Sequence, residues 1–176
     1  QVALAGYQDF KQGMHYQITK HGYWRDVLHA YLASVSFADH CVGRVLEALR
    51  NSPYADNTIV VLWGDNGWSL GDHFHWKKWS LWDSGARVPF IVKAPGMDAG
   101  RHSCEEGVGL IDIYPSLIEL CDLPEVENMH GRNLCGLLSG DETEREEPAI
   151  TFFGPNNQSL RTRRWRYSRY CDGSEE

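Results

Sequence analysis

A short segment in the middle of the chain, WGDNGWSLGDHFHWKKWSLWD (residues 63–83), holds most of the side chains that could do chemistry. It contains three Asp, one Asn, two His and two Lys among five of the seven Trp of the chain. Asp65 and Asn66 place a carboxylate beside a carboxamide, and such hard oxygen donors suit Ca²⁺ or Mg²⁺. Two interpretations compete: a site that holds a charged ligand, or an aromatic-rich loop that fills a small core.

The structural alternative for Asp65 and Asn66 is a turn, because Asp-Asn and Asn-Gly are frequent turn sequences. Two oxygens are also too few for Ca²⁺, which takes roughly six to eight ligands. The other ligands would have to come from elsewhere, since the chain has no second acidic pair in a comparable position. The pair alone leaves metal binding open.

Lys78 stands among three tryptophans, where partial desolvation would make its ammonium a strong point charge for an anion. The alternative is a surface lysine whose aliphatic stem covers the neighbouring indoles. The two histidines, His73 and His75, are of a kind that is more often a polar loop residue than a ligand or an acid. Each of these features is weak alone, and their combination makes the segment a candidate site.

The elements around this segment alternate between helix and strand. Apolar residues at helical spacing predict a helix from about Trp24 to Arg50, and residues 109–124 return to that spacing. Continuous apolar runs at residues 58–64 and 87–96 predict strands that are buried on both faces, as in a parallel sheet. The pattern predicts an α/β fold with a partial, doubly wound, mostly parallel sheet and flanking helices.

The position of Asp65 and Asn66 fits this fold. They follow the first predicted strand directly, and open α/β sheets bind ligands outside the carboxyl ends of their strands. Gly64 and Gly67, on either side of the pair, allow a sharp turn and a close approach of the backbone to a ligand.

The last quarter of the chain has a different character. Short apolar runs at residues 149–153, 158–163 and 164–170 predict the start of a small antiparallel subdomain. We therefore assign residues 1–140 to the α/β part, and residues 141–176 to an acidic linker and the antiparallel subdomain. Five Arg between residues 161 and 170 indicate either a basic patch or a pair of strands, and the interleaved aromatic residues favour the strands.

Composition excludes several classes of protein. A net charge of −7 argues against general binding to nucleic acid. No apolar run approaches the roughly 20 residues that a membrane-spanning helix needs. The five Cys are odd in number and lack zinc-binding spacing, so one disulfide or none are both open, and the cysteines do not indicate a compartment.

Taken together, these segments resemble the type I sulfatase family of the alkaline phosphatase superfamily, and most closely its iduronate-2-sulfatase-like branch. The resemblance runs along nearly the whole chain. YLASVSFADHCVGRVLEAL and NTIVVLWGDNGWSLGDH are similar to the helix, strand and metal loop of that family. HWKKWSLWDSGARVPFIVKAPG resembles the segment with the sulfate-contacting lysine, and LIDIYPSLIELCDLP, GRNLCGLL and RTRRWRYSRYCDGSEE resemble the segments that follow.

The resemblance implies a role for each candidate residue. Asp65 and Asn66 fall on two oxygen ligands of a divalent cation, usually Ca²⁺ and alternatively Mg²⁺. Lys78 falls on the lysine that binds a sulfate oxygen, and His75 is a candidate substrate contact in the same segment. In such enzymes a hydrated formylglycine attacks sulfur while the cation and the lysine neutralise charge on the sulfate oxygens.

The formylglycine nucleophile itself is missing. It is made from Cys or Ser in a Cys/Ser-x-Pro/Ala-x-Arg motif, and no Cys or Ser of this chain fits that motif. The Asp-Asp metal pair of the family is absent too. Both lie upstream in the family, and the chain lacks an initiator Met and a signal peptide, so we expect a C-terminal part of a sulfatase catalytic domain that is inactive alone.

The resemblance therefore implies a sulfuric ester hydrolase acting on sulfate esters, with sulfated saccharides as the expected substrates. Two alternatives stay open: a phosphoester or phosphonate hydrolase of the same superfamily, and a non-catalytic binding module that keeps the fold. The expected partners are a saccharide sulfate ester and the missing N-terminal part of the catalytic domain, with no nucleic acid and no membrane. The resemblance implies a periplasmic, secreted or lysosomal protein.

Overall fold

The computed structural model describes residues 13–97 and 103–176, which form parts of two compact units, residues 1–91 and 92–176. The first unit begins with two helices and continues with short strands and loops. Its elements are α1 (Met14–Lys20), α2 (Trp24–Arg50), β1 (Val60–Trp63), β2 (Ser69–Leu70), a 3₁₀ turn (Asp72–Phe74), β3 (Trp76–Lys77) and α3 (Asp83–Ala86).

Helix α2 has the ends that the apolar spacing predicts. Asp26 lies in its first turn and Arg50 in its last, the arrangement that the helix dipole favours. The structure describes every one of its 27 residues, and none of them is buried. Leu32, Val35 and Val45 are 61%, 49% and 69% exposed, so much of the apolar stripe of α2 is open to solvent in this chain.

The predicted strand at residues 58–64 is observed as β1, and the one at residues 87–96 as β4 (Phe90–Lys93). The two form a two-stranded sheet, and the Gly64 amide donates to the Pro89 carbonyl at 3.1 Å. The prediction that both strands are buried on both faces is wrong, because Leu62 and Trp63 of β1 and Ile91 of β4 are exposed. An apolar run shows that a strand is suited to burial, but burial also requires neighbouring elements that cover it. Among the described residues, only one strand lies beside β1.

The second unit carries the remaining helices and strands. A 3₁₀ turn (Leu110–Asp112) leads into α4 (Ile113–Leu120), and α5 (Cys135–Ser139) precedes three strands: β5 (Ala149–Phe152), β6 (Gln158–Arg161) and β7 (Arg166–Arg169). These strands form an antiparallel sheet in the order β5–β6–β7, with Ile150 opposite Leu160 and Leu160 opposite Tyr167. The predicted antiparallel unit at the C-terminal end is confirmed.

Asp112 organises the helical part of this unit. Its side chain is 1% exposed and accepts hydrogen bonds from the Gly109 and Arg132 amides, each at 2.8 Å. The Arg145 guanidinium completes the arrangement, with Nη1 2.6 Å from the carboxylate. Desolvation alone would raise the pKa of Asp112, but the bonds from Arg145, Arg132 and Gly109 outweigh it and hold the pKa below its usual value.

All five cysteines are free thiols. In the parts of the chain that the structure describes, no helix is both long enough and apolar enough to cross a membrane.

Candidate functional site

The loop that follows β1 carries Asp65 and Asn66, the two predicted oxygen donors. Asp65 is exposed and Asn66 is partly buried. The next residue, Gly67, donates its amide to the Gly85 carbonyl at 2.9 Å. A side chain at Gly67 would not fit, since a Cβ there would lie 2.3 Å from the Ser84 carbonyl oxygen. The loop is therefore held tightly against the segment that contains α3.

The α3 segment also contacts strand β2 and the backbone of Lys78, the residue that follows β3. Ser69, which is fully buried, places its hydroxyl 2.8 Å from the Ser84 hydroxyl. Gly85 is packed so closely that a Cβ would lie 2.4 Å from Ser80 Oγ and 2.9 Å from the Lys78 carbonyl oxygen. Through Gly67 and Gly85 the structure thus connects the backbone beside Asn66 with the backbone of Lys78.

Lys78 presents its ammonium to solvent. Its side chain is exposed, and Nζ lies 5.8 Å from the centroid of the Trp79 ring, which is itself 64% exposed. The Ser80 amide donates to the Lys78 carbonyl at 2.7 Å and shapes the turn after β3. The desolvated lysine that the sequence indicated is not observed here, because Trp79 faces solvent beside it.

His75 lies just before β3 and Lys78 just after it, so the strand carries both predicted catalytic residues at its two ends. His75 Nε2 is buried, and no hydrogen-bond partner for it exists among the residues described. Burial lowers the pKa of this imidazole below its ordinary value. Its ring meets the edge of Trp82 at 5.9 Å between centroids, whereas His73 stacks on the same indole at 4.4 Å. The lowered pKa favours the uncharged form of the imidazole.

The backbone around His75 is strained. His73, Phe74 and Lys77 adopt φ angles of 50°, 60° and 73°, in the left-handed region that residues with a Cβ seldom enter. Such residues cost on the order of 1–2 kcal/mol each, and they cluster at functional sites. Two backbone hydrogen bonds, Gly71 to His75 at 2.9 Å and His75 to Asp72 at 2.8 Å, hold the loop in this form.

Part of the tryptophan-rich segment is core. Trp76 is 6% exposed and packs edge-on against Trp24 of α2, with 5.1 Å between centroids. Its indole N–H donates to His15 Nδ1 at 3.2 Å, and His15 also contacts Phe74. Sequence reasoning missed His15, because 61 residues separate it from Trp76 and no local pattern links them. The core-filling interpretation of the segment is thus correct for Trp76, and the charged-ligand interpretation stays a prediction.

The donor chemistry at Asp65 and Asn66 fits a hard divalent cation, since both offer oxygen ligands. Within residues 13–97 and 103–176, no cluster of three or more His, Cys, Asp or Glu side chains could hold a metal ion. These two residues can therefore supply only part of a coordination sphere.

Comparisons with known proteins address the family of the chain. The family model described as Sulfatase matches residues 5–123, a range that contains all four candidate residues. The chain is 39% identical over 155 residues to a sulfatase of Formosa agariphila, covering 88% of this chain and 30% of that protein. It is 37% identical over 125 residues to mouse iduronate 2-sulfatase, covering 57% of this chain and 22% of that protein.

Solved structures show the same fold. A 2-O GAG sulfatase superposes with a TM-score of 0.75 at 24% identity, over 87% of this chain and 36% of that chain. A phosphonate monoester hydrolase of Silicibacter pomeroyi superposes with a TM-score of 0.68 at 23% identity, over 78% and 31% of the two chains. The chain has the alkaline phosphatase-like α/β fold of these proteins, and it spans about a third of their length.

Proposed function

This chain belongs to the sulfatase family, and on that premise we propose that it supplies the cation- and sulfate-binding side of a sulfuric ester hydrolase site. In this proposal Asp65 and Asn66 are two oxygen ligands of a divalent cation, Ca²⁺ or Mg²⁺. Lys78 binds a sulfate oxygen, and His75 is a neutral polar group beside the substrate. The substrate class is a sulfated saccharide.

The connection between the two loops carries the proposal. The loop with Asp65 and Asn66 is bonded to the α3 segment through Gly67 and Gly85, and Gly85 packs on the backbone of Lys78. Preorganised charges stabilise a transition state only when the fold fixes their positions before the substrate arrives. The close glycine contacts supply that rigidity, whereas the exposed Lys78 ammonium stays accessible to an anion.

The residues present account for binding and charge neutralisation, and the nucleophile is a separate requirement. The Lys78 ammonium offers three N–H donors to sulfate oxygens, and its positive charge offsets the negative charge that grows on them during ester cleavage. A cation held by Asp65 and Asn66 would supply Lewis-acid stabilisation of the same oxygens. No Cys or Ser of the 176 residues lies in a formylglycine motif, so we propose that the nucleophile is not supplied by this chain.

Hydrolysis of a phosphonate monoester is the second candidate function. The likeness to the phosphonate monoester hydrolase supports it, because an enzyme of that class shares the fold over 78% of the chain. Sulfate monoesters and phosphonate monoesters are both tetrahedral and singly charged, so Lys78 suits either. The family match and the greater identity to sulfatases favour the sulfate ester. The resemblance to sulfatases also leads us to propose a periplasmic, secreted or lysosomal protein.

The proposal can be tested in a chimera in which this chain replaces the matching segment of the Formosa agariphila sulfatase. We expect the chimera to hydrolyse 4-nitrophenyl sulfate. Asp65→Ala and Lys78→Ala should each lower kcat/KM by about 100-fold or more, the usual loss when one charge-stabilising group is removed. Activity on a phosphonate monoester that exceeds activity on the sulfate would favour the second candidate.

Matched controls lie in the same segment. Asp72→Ala and Lys77→Ala remove an exposed carboxylate and an exposed ammonium within seven residues of Asp65 and one residue of Lys78. Both controls should stay within about threefold of the parent chimera, because exposed charges outside a site contribute little. Equal losses in the controls and in the site variants would refute the assigned roles.

A further inference from the structure

The turn between β6 and β7 projects three large side chains that the sheet does not bury. The turn comprises residues 162–165, and both of its ends are fixed. The Thr162 amide donates to the Trp165 carbonyl at 2.9 Å, and the Trp165 amide donates to the Thr162 hydroxyl at 3.0 Å. We call residues 162–165 the hairpin tip. These two bonds give it a defined shape before any partner binds.

The structure divides the Arg-rich run into two groups with different roles. Arg166 points into the sheet, where its Nη1 donates at 2.9 Å to the hydroxyl of the buried Ser159. Arg163 and Arg164 lie at the hairpin tip and are exposed, as is Trp165, which has 67% of its surface open to solvent. The strand-pair interpretation thus accounts for Arg166 and leaves the tip residues unexplained.

The tip residues form a compact cationic and aromatic surface. The Arg164 guanidinium lies over the Trp165 ring, 5.2 Å from its centroid. A guanidinium stacked in this way keeps its in-plane N–H groups available to an anion. Such a pairing also limits the motion of both side chains, which reduces the entropy lost when a ligand binds.

Arg163 is held beside this pair by Glu105. Its Nη2 lies 3.1 Å from Glu105 Oε2, with side chains that are 59% and 72% exposed. The loop carrying Glu105 approaches the base of the hairpin closely, since a Cβ at Gly107 would lie 2.3 Å from the Arg161 carbonyl oxygen. An exposed ion pair contributes at most about 1 kcal/mol. A sulfate group can therefore compete with Glu105 for this guanidinium.

We propose that the hairpin tip, which contains none of the candidate hydrolytic residues, binds a sulfated saccharide chain. Guanidinium groups donate paired N–H bonds to the oxygens of an oxyanion, and an exposed indole provides a flat apolar face for a sugar ring. The net charge of −7 repels polyanions in general, so a bound polyanion needs a local cationic surface such as the hairpin tip. The choice of a sulfated saccharide rests on the proposed function, whereas the cationic and aromatic surface does not depend on it.

The test measures binding of a short heparin oligosaccharide to the full chain by calorimetry at about 0.15 M salt, where weak long-range attraction is screened. Arg164→Gln and Trp165→Leu should each weaken binding by about fivefold or more, the effect expected for one charge-assisted or stacking contact. Arg164→Lys keeps the charge but loses the planar donor fork, so it should also weaken binding. Thermal unfolding checks that each variant stays folded, as expected for exposed side chains.

The matched control is Arg132→Gln, which removes another exposed arginine, ion-paired with Glu147, from the same unit. It should change the affinity by less than about twofold, because a surface charge away from the ligand acts only through screened attraction. A loss equal to that of Arg164→Gln would overturn the inference. Equal affinity for a single-stranded DNA of similar charge would also overturn it, since the tip would then attract any polyanion.

A further variant separates this inference from the proposed function. In the chimera, Arg164→Gln should leave hydrolysis of 4-nitrophenyl sulfate within about threefold of the parent, because this small ester has no saccharide chain for the tip to bind, whereas Lys78→Ala lowers kcat/KM by about 100-fold or more. Loss of heparin binding in Lys78→Ala but not in the tip variants would overturn the hairpin-tip site and leave the proposed function intact. Loss of binding in the tip variants alone supports the inference even if the chimera shows no sulfatase activity.

Discussion

His75 buries an imidazole nitrogen without a hydrogen-bond partner among the described residues, and this burial has a consequence for stability. Desolvation lowers its pKa in the folded chain below the ordinary value of 6.5. Below pH 6.5 the unfolded chain therefore binds a proton that the folded chain binds only at lower pH. By linkage, the free energy of unfolding falls as the pH falls through this interval.

We expect His75→Phe to reduce that pH dependence. The phenyl ring keeps the edge contact with Trp82 and has no group to protonate, and no hydrogen bond of Nε2 is lost. At pH 7.5 the stability should therefore change by no more than about 1 kcal/mol. Urea unfolding of both proteins at pH 7.5, 6.5 and 5.5 measures this. An unchanged slope in the variant would show that His75 does not cause the dependence.

Single residues also show what the sequence can and cannot predict about the site. Asp65 and Asn66 could be located because they follow an apolar run, and the structure puts them in the loop after β1. The exposure of Lys78 could not be predicted, since a run of tryptophans does not reveal which indoles face solvent. Nor could the left-handed backbone at Phe74, because it depends on hydrogen bonds that close the loop rather than on a glycine.

At the scale of elements, Asp112 joins helix α4 to two other segments. Its carboxylate receives the Gly109 and Arg132 amides and the Arg145 guanidinium, and it is nearly fully buried. A buried carboxylate of this kind depends on every partner, because an unpaired charge in the interior is costly. The pKa of Asp112 is depressed, so its contribution is present above the unfolded pKa of 3.8 and is lost as the pH falls below it.

Breaking the Arg145–Asp112 ion pair should lower the free energy of unfolding far more than breaking an exposed ion pair does. Arg145→Met leaves Asp112 without its counter-charge, and we expect the free energy of unfolding to fall by about 3–5 kcal/mol at pH 7. The matched control is Arg132→Met, which removes the exposed ion pair with Glu147 and should cost at most about 1 kcal/mol. Urea denaturation measures both variants, and similar losses would contradict the structural role assigned to Asp112.

The elements themselves were predictable to different degrees. Both ends of α2 agree with the prediction from apolar spacing. At the C-terminal end the spacing stops at the turn sequence NSP. The strands are shorter than their apolar runs, because ladder pairing ends where the neighbouring strand ends. Asp112 was not recognised, since one acid at the start of an amphipathic helix is also typical of an ordinary first turn.

At the scale of the whole molecule, the exposed apolar surface is the main departure from expectation. The stripe along α2 and the side chains of Leu62 and Trp63 are apolar but open to solvent. Large exposed patches of this kind mark interaction surfaces. The sequence indicates which residues are apolar enough to favour burial, but it does not identify the residues that cover them. Relatives in which this chain matches only 30% or 22% of the length have further residues that could do so.

Whether the chain alone can hydrolyse an ester depends on all the groups present in the whole molecule. In the proposed function Lys78, Asp65 and Asn66 supply binding and charge neutralisation, but ester cleavage also needs a nucleophile, and no Cys or Ser of the 176 residues lies in a formylglycine motif. We therefore expect the purified chain to hydrolyse 4-nitrophenyl sulfate no faster than buffer does, with or without added Ca²⁺. The Formosa agariphila sulfatase serves as the positive control under the same conditions. Turnover by the chain that disappears in Lys78→Ala would contradict this expectation, because it would require a nucleophile of a different kind within these residues.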